Sequence, residues 1–151
     1  MRWIVLVILF QLMLTYKSYA QQSDQAEVKH PDKEWTVKNC VNQFSMADTV
    51  GTKAGYQYWF AGKKFIDGRT LKMSVVKPHQ ATHPPHNHAE DEFFFVLEGT
   101  AMFYLNGDSA VVHPYASLYC PSWVEHGIRN AGDTELKYLV IKKYDVNKGK
   151  K

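Results

Sequence analysis

Between His83 and Glu92 the chain reads HPPHNHAEDE, which is three imidazoles and three carboxylates in ten residues; the apolar run FFFVL follows at once. Side chains alternate along an extended segment, so His86 and His88 face one way and Asn87 the other. Glu92 lies four residues past His88 in the same phase, and Phe94 and Val96 continue that face. Two imidazoles and one carboxylate can therefore converge at the mouth of an apolar interior. Burying such a set without a partner is costly. A divalent metal is the economical partner, because neutral imidazole and carboxylate suit Zn, Fe, Mn, Ni or Cu. A second segment, PSWVEHGIRN from Pro121 to Asn130, offers His126 as a fourth ligand at another turn-to-strand junction.

The elements that must position these groups read as short strands between turn signals. Tyr56–Phe60 is strand-like, and Ile66-Asp67-Gly68-Arg69 reads as a turn. Leu71, Met73 and Val75 alternate with Lys72 and Ser74, the pattern of a half-buried strand. Glu92–Leu97 is aromatic and β-branched and turns at Glu98-Gly99. Ala101–Leu105 ends at Asn106-Gly107, a strong hairpin signal, and Ala110–His113 returns. Ser117–Cys120 stops at Pro121, and His126–Arg129 and Glu135–Tyr144 complete the set. The chain has no convincing long helix; a short one fits between Val41 and Val50. Many short strands at near-regular spacing indicate an all-β sandwich or barrel.

The two ligand segments resemble the motifs of the cupin family. The first motif is two His one residue apart, then Glu, then Gly, and here it is His86, His88, Glu92 and Gly99. The second runs Pro, His, Asn, and here it is Pro121, His126 and Asn130. The resemblance spans roughly Leu71 to Tyr144. It departs at three family glycines, replaced by Gln80, Tyr115 and Trp123. Glycine at position 123 would permit a positive φ, where Trp is strained; either the turn differs here or the indole is held for a reason. The resemblance implies a small double-stranded β-helix, or jelly-roll, barrel. Within it His86, His88, Glu92 and His126 would bind one metal ion and leave open positions for water or substrate. It also implies a homodimer formed through edge strands.

Composition sets the frame. The chain has 151 residues and a formal net charge of +3, which suits one domain. MRWIVLVILFQLMLTYKSYA has a basic start, an apolar run and a small-x-small end, the pattern of a signal peptide cut after Ala20 and hence of a secreted or periplasmic protein. The apolar run is too short to span a bilayer, so no membrane association is expected after cleavage. The organisation expected is a signal peptide over 1–20, a flexible segment over 21–33, a barrel over 34–145 and a basic tail over 146–151. Lys142 and Lys143 read with Lys148, Lys150 and Lys151 as solvated charge. No basic stripe with interleaved aromatics points to nucleic acid. Export allows a Cys40–Cys120 disulfide, and the alternative is two separate thiols.

These readings favour an enzyme that uses one divalent ion (Zn, Mn, Fe or Ni) on a small oxygenated substrate, sugar-like or sugar-acid-like. The reaction would be isomerisation, elimination or ring opening, with Glu92 moving the proton. Trp123, Tyr119 and Tyr104 are candidate substrate walls and Arg129 a candidate carboxylate clamp; the competing reading of Trp123 is a cover for the barrel end. His79, His83 and His113 read as solvated loop residues. An iron-dependent dioxygenase and a non-catalytic metal- or ligand-binding module are the alternatives.

Overall fold

The computed structural model describes residues 34–145. The expected signal peptide, the 21–33 segment and the 146–151 tail lie outside the described residues. A one-turn helix α1 (Val37–Cys40) and a 3-10 turn (Met46–Asp48) precede nine strands. These are β1 (Val50–Thr52), β2 (Gly55–Ile66), β3 (Arg69–Val76), β4 (Glu92–Glu98), β5 (Ala101–Leu105), β6 (Asp108–Val112), β7 (Ser117–Cys120), β8 (His126–Asn130) and β9 (Leu136–Lys143). The strand pattern read from the sequence is realised. The helix expected between Val41 and Val50 shrinks to the 3-10 turn, which buries no residue that would extend it.

The strands form two antiparallel sheets, ordered β1-β2-β3-β9-β4-β7 and β6-β5-β8. β9, last in the chain, inserts between β3 and β4. The expected all-β jelly-roll architecture follows from this arrangement. Val76, Val96, Ala101 and Leu136 are almost fully buried in one cluster with Phe94 and Ile128. A fully buried Val, Leu or Phe side chain contributes about 1.5–3 kcal/mol.

Turn chemistry fixes the register. Asp67-Gly68 and Asn106-Gly107 both have positive φ at both positions, as tight two-residue hairpins require. Gly99, between β4 and β5, has φ +86, and a Cβ there would lie 2.5 Å from the Glu135 carbonyl oxygen. No other residue fits without backbone movement. Asn130 is fully buried and fully satisfied. Its amide donates to the Val76 and Thr134 carbonyls at 2.9 and 2.7 Å, and its side-chain oxygen accepts from the Gly132 N–H at 2.9 Å. It ties the end of β8 to β3 and to the turn that leads into β9.

Of the two readings of the cysteines, the candidate Cys40–Cys120 disulfide is not formed, and the alternative of two separate thiols holds. Both cysteines are free, Cys40 exposed and Cys120 buried. Cys120 faces inward from β7, in register with Glu92, whereas Cys40 ends an exposed helical turn. The two residues are held by different surfaces of the fold.

Candidate metal centre

Three local devices bring the ligands together. The segment from Ala81 to Asp91 is loop rather than continuous strand, and it is tied to β8 by a single bridge: the His86 N–H donates to the His126 carbonyl and the His126 N–H to the His86 carbonyl, both at 2.9 Å. Gly127 permits this approach, since a Cβ there would lie 3.1 Å from the Pro85 Cα. The Trp123 N–H donates to the His88 carbonyl at 2.8 Å, which ties the second motif's turn to the first motif's loop. Glu92 opens β4 and is 6% exposed, while His126 opens β8 and is 0% exposed.

The rings are oriented by the backbone. His88 Nδ1 lies 2.7 Å from the Glu90 carbonyl oxygen, and His126 Nδ1 lies 2.7 Å from the Val124 carbonyl oxygen. A carbonyl only accepts, so each Nδ1 carries a proton and the Nε2 of the neutral ring carries the lone pair. Both Nε2 atoms turn toward Glu92: Oε1 is 3.1 Å from His126 Nε2 and 3.5 Å from His88 Nε2. With neutral rings, two lone pairs and a carboxylate would face one another, an arrangement that calls for positive charge; the Lys142 ammonium, 2.8 Å from His88 Nε2 and 3.6 Å from Glu92 Oε2, supplies one unit, and a divalent ion would supply more. His86 completes a group of three imidazoles whose ligand atoms lie within 4.8 Å of one another. Its Nδ1 is buried with no hydrogen-bond partner. Burial, and then the neighbouring imidazoles, hold the His86 pKa below its ordinary value, which keeps the ring neutral and able to donate a lone pair. The donor set fits a divalent transition metal, and the cluster can hold one.

Cys120 sits beside this set, in a second group with Glu92 and His126. Its thiol is pushed up to about 12 by burial and then by the Glu92 charge, so it stays protonated at neutral pH.

His86, His88 and Glu92 open onto a cavity of about 170 Å³, and the fully buried His126 lies behind them. Its walls come from residues that the sequence reading had passed over. Thr70, Lys72 and Ser74 face inward from β3, and Tyr138, Val140 and Lys142 face inward from β9. The polar side of β3, read as solvent-facing, lines the interior. Lys142, read as part of a solvated basic run, is a strand residue whose side chain is 8% exposed. Its Nζ donates to His88 Nε2 at 2.8 Å and lies 3.6 Å from Glu92 Oε2. The register explains this position, because Lys142 pairs with Thr70 on one side and Glu92 on the other. Alternation alone would have flagged it, since Tyr138, Val140 and Lys142 share one face of a strand. The Tyr138 hydroxyl bonds Ser74 and Thr82, and burial raises its pKa.

The four residues expected to bind substrate are not brought to this cavity. Tyr119 points outward from β7, is 46% exposed and donates to Asp91 at 3.2 Å. Tyr104 and Arg129 line a separate depression with His79 and Pro85, and the Arg129 guanidinium donates to the His79 carbonyl at 3.0 Å. Trp123 is 67% exposed. Its φ is +62, so the turn keeps the glycine-like conformation despite the indole, and Tyr115 does the same at φ +71. His83 lies at the cavity wall, edge-on to His86 with ring centroids 4.3 Å apart.

Residues 72–142 match the family model described as a cupin domain. No curated protein matches the chain. Among solved structures, a predicted oxalate decarboxylase from Thermotoga maritima is 22% identical, covers 58% of this chain and 78% of its own, and has a TM-score of 0.55. The polyketide cyclase RemF from Streptomyces resistomycificus is 21% identical over 68% of this chain and 79% of its own, with a TM-score of 0.57. A cupin 2 conserved barrel domain protein from Salinispora arenicola is 16% identical over 69% and 87%, with a TM-score of 0.58. At these identities the likeness speaks for the fold. Sequence motifs, sheet order and family match agree, and residues 72–142 of this chain form a cupin-like domain.

Proposed function

We propose that the cavity is a mononuclear metal centre and that the protein is an exported enzyme acting on a small oxygenated molecule, sugar-like or sugar-acid-like, by isomerisation or elimination. The observation that carries this reading is the pair of backbone-anchored imidazoles, His88 and His126, whose Nε2 atoms converge on Glu92. His86, His88, His126 and Glu92 would hold the ion. A divalent ion there supplies Lewis-acid polarisation of a substrate carbonyl or hydroxyl.

The chain's own groups do the rest. Glu92 sits where a proton can be taken and returned, with one oxygen toward the imidazoles and the other toward Lys142. Tyr138 keeps its proton and can hydrogen-bond a substrate oxygen. Trp59 and Phe94 give the walls an apolar surface and exclude water. A cavity of about 170 Å³ is well below the roughly 300–1,000 Å³ of drug-sized sites, which limits the substrate to a compact molecule.

The test is elemental analysis of the chain purified without added metal, beside His88→Ala. About one equivalent of a divalent transition metal in the parent, lost in the variant, supports the centre. A parent free of metal, even after incubation with zinc, manganese, iron and nickel in turn, rules it out. Native iron with oxygen consumption would favour the dioxygenase reading.

A further inference from the structure

The cavity wall carries charge that metal binding alone does not explain. Lys72, Lys142 and Glu92 are its only charged residues other than histidine. Lys142 is engaged with His88 and Glu92. Lys72 has no acid within salt-bridge distance among the described residues; its Nζ lies 5.2 Å from the centroid of the Trp59 ring. With neutral imidazoles, two ammonium groups against one carboxylate leave the cavity one unit positive, and a divalent ion would raise that to three. A part-enclosed space with that excess favours anionic contents.

Register shows that this charge is built in. Lys72 pairs with Trp59 on one side and Val140 on the other, and Lys142 pairs with Thr70 and Glu92. Both lysines sit at inward-facing positions of adjacent strands, one row apart, because β9 inserts next to β3. Ordinary sheet economy would put apolar side chains at both. Burial lowers the Lys72 pKa, and the nearby Glu92 charge partly restores it. The half-buried ammonium therefore lacks the close counter-ion that would offset its desolvation.

We infer that the substrate of this cavity is a small organic acid whose carboxylate is bound by Lys72 and Lys142 beside the metal ligands. Lys72 would give the carboxylate a direct ammonium partner. Lys142, already within 3.6 Å of Glu92, would bridge the anion and the ligand shell. The cavity volume of about 170 Å³ restricts the acid to a compact one. The same positive field would stabilise the negative charge that develops on a substrate oxygen during proton abstraction. This inference deepens the metal-centre reading and rests on it for the reaction, but not for the lysines' preference for an anion.

Calorimetric titration with malonate and with its uncharged analogue malonamide tests it, on the chain as purified and after stripping with a chelator. Malonate is expected to bind at least ten times more tightly than malonamide. Lys72→Met and Lys142→Met are each expected to weaken malonate at least tenfold with the malonamide value nearly unchanged; Lys72→Met keeps the melting temperature, whereas Lys142→Met, which leaves the buried Glu92 without its cation, lowers it. Equal binding of the two probes, no malonate binding, or lysine variants that bind malonate like the parent would each overturn the inference. Elemental analysis scores the metal separately. Malonate binding that follows metal content but ignores both lysines leaves the centre standing and removes the lysine role. A metal-free chain that still prefers malonate through Lys72 does the reverse.

Discussion

His88 and His126 each give one ring nitrogen to the backbone and aim the other at Glu92, and this economy sets the site's chemistry. An unanchored imidazole could swing its lone pair away; these two cannot without breaking a 2.7 Å hydrogen bond. The ligands were legible in the sequence because their spacing is local and carries its own geometry. Trp123 was legible as an anomaly, and the structure shows what kind it is: a large side chain held at φ +62 with the indole in solvent. A left-handed conformation costs a non-glycine residue about 1–2 kcal/mol, and glycine's greater unfolded freedom returns about half of that. Trp123→Gly is therefore expected to stabilise the fold by up to about 1 kcal/mol, read by urea denaturation. A loss of more than that would show that the indole packs on something it needs.

Elements decide which face of a residue matters. β3 alternates Leu71, Met73 and Val75 with Thr70, Lys72 and Ser74, and hydrophobic patterning assigns the first set to the interior. The structure covers both faces: Val75 is almost fully buried, and the second set lines the cavity, because a binding space needs polar walls. Patterning likewise hid Lys142, whose sequence neighbours made it look like the start of a solvated tail. Pairing with Glu92 across β4 and β9 turned it inward. Element geometry also depends on Gly99, where β4 turns into β5 under the Glu135 carbonyl. Gly99→Ala combines a φ of +86 with a Cβ 2.5 Å from backbone oxygen. The expected loss is at least about 2 kcal/mol, measured by chemical denaturation, and Gly62→Ala, where nothing lies within 4 Å, is the control. A near-neutral Gly99→Ala would mean that the turn can relax.

At the scale of the whole molecule, the ligands come from three places: the Ala81–Asp91 loop, β4 and β8. A bound ion would cross-link segments that the unfolded chain holds apart. Binding to the native state alone adds about 3 kcal/mol at a hundredfold excess over Kd. A chelator is therefore expected to lower the melting temperature of the parent and to leave that of His88→Ala unchanged; equal shifts in both would place the metal elsewhere. The two cysteines report on the same architecture. Cys40 is exposed and Cys120 is buried with its thiol at about 12. At pH 8 a thiol reagent is expected to label Cys40 promptly and Cys120 only after denaturation, with no mobility change on reduction. Two fast equivalents in the folded chain would contradict the burial.

The sequence by itself determined the strand pattern, the hairpin turns and the four candidate ligands, because each is written in neighbours a few residues apart, where alternation, glycine and spacing act directly. Tertiary structure alone decided what surrounds those ligands. It placed Lys72, Lys142 and Tyr138 around the candidate metal site, set Tyr104, Tyr119, Trp123 and Arg129 elsewhere, and kept Cys40 from Cys120. The physical reason is register. The insertion of β9 between β3 and β4 pairs residues some seventy and fifty positions apart, such as Thr70 and Glu92 with Lys142, and no local rule encodes which of them will share a cavity.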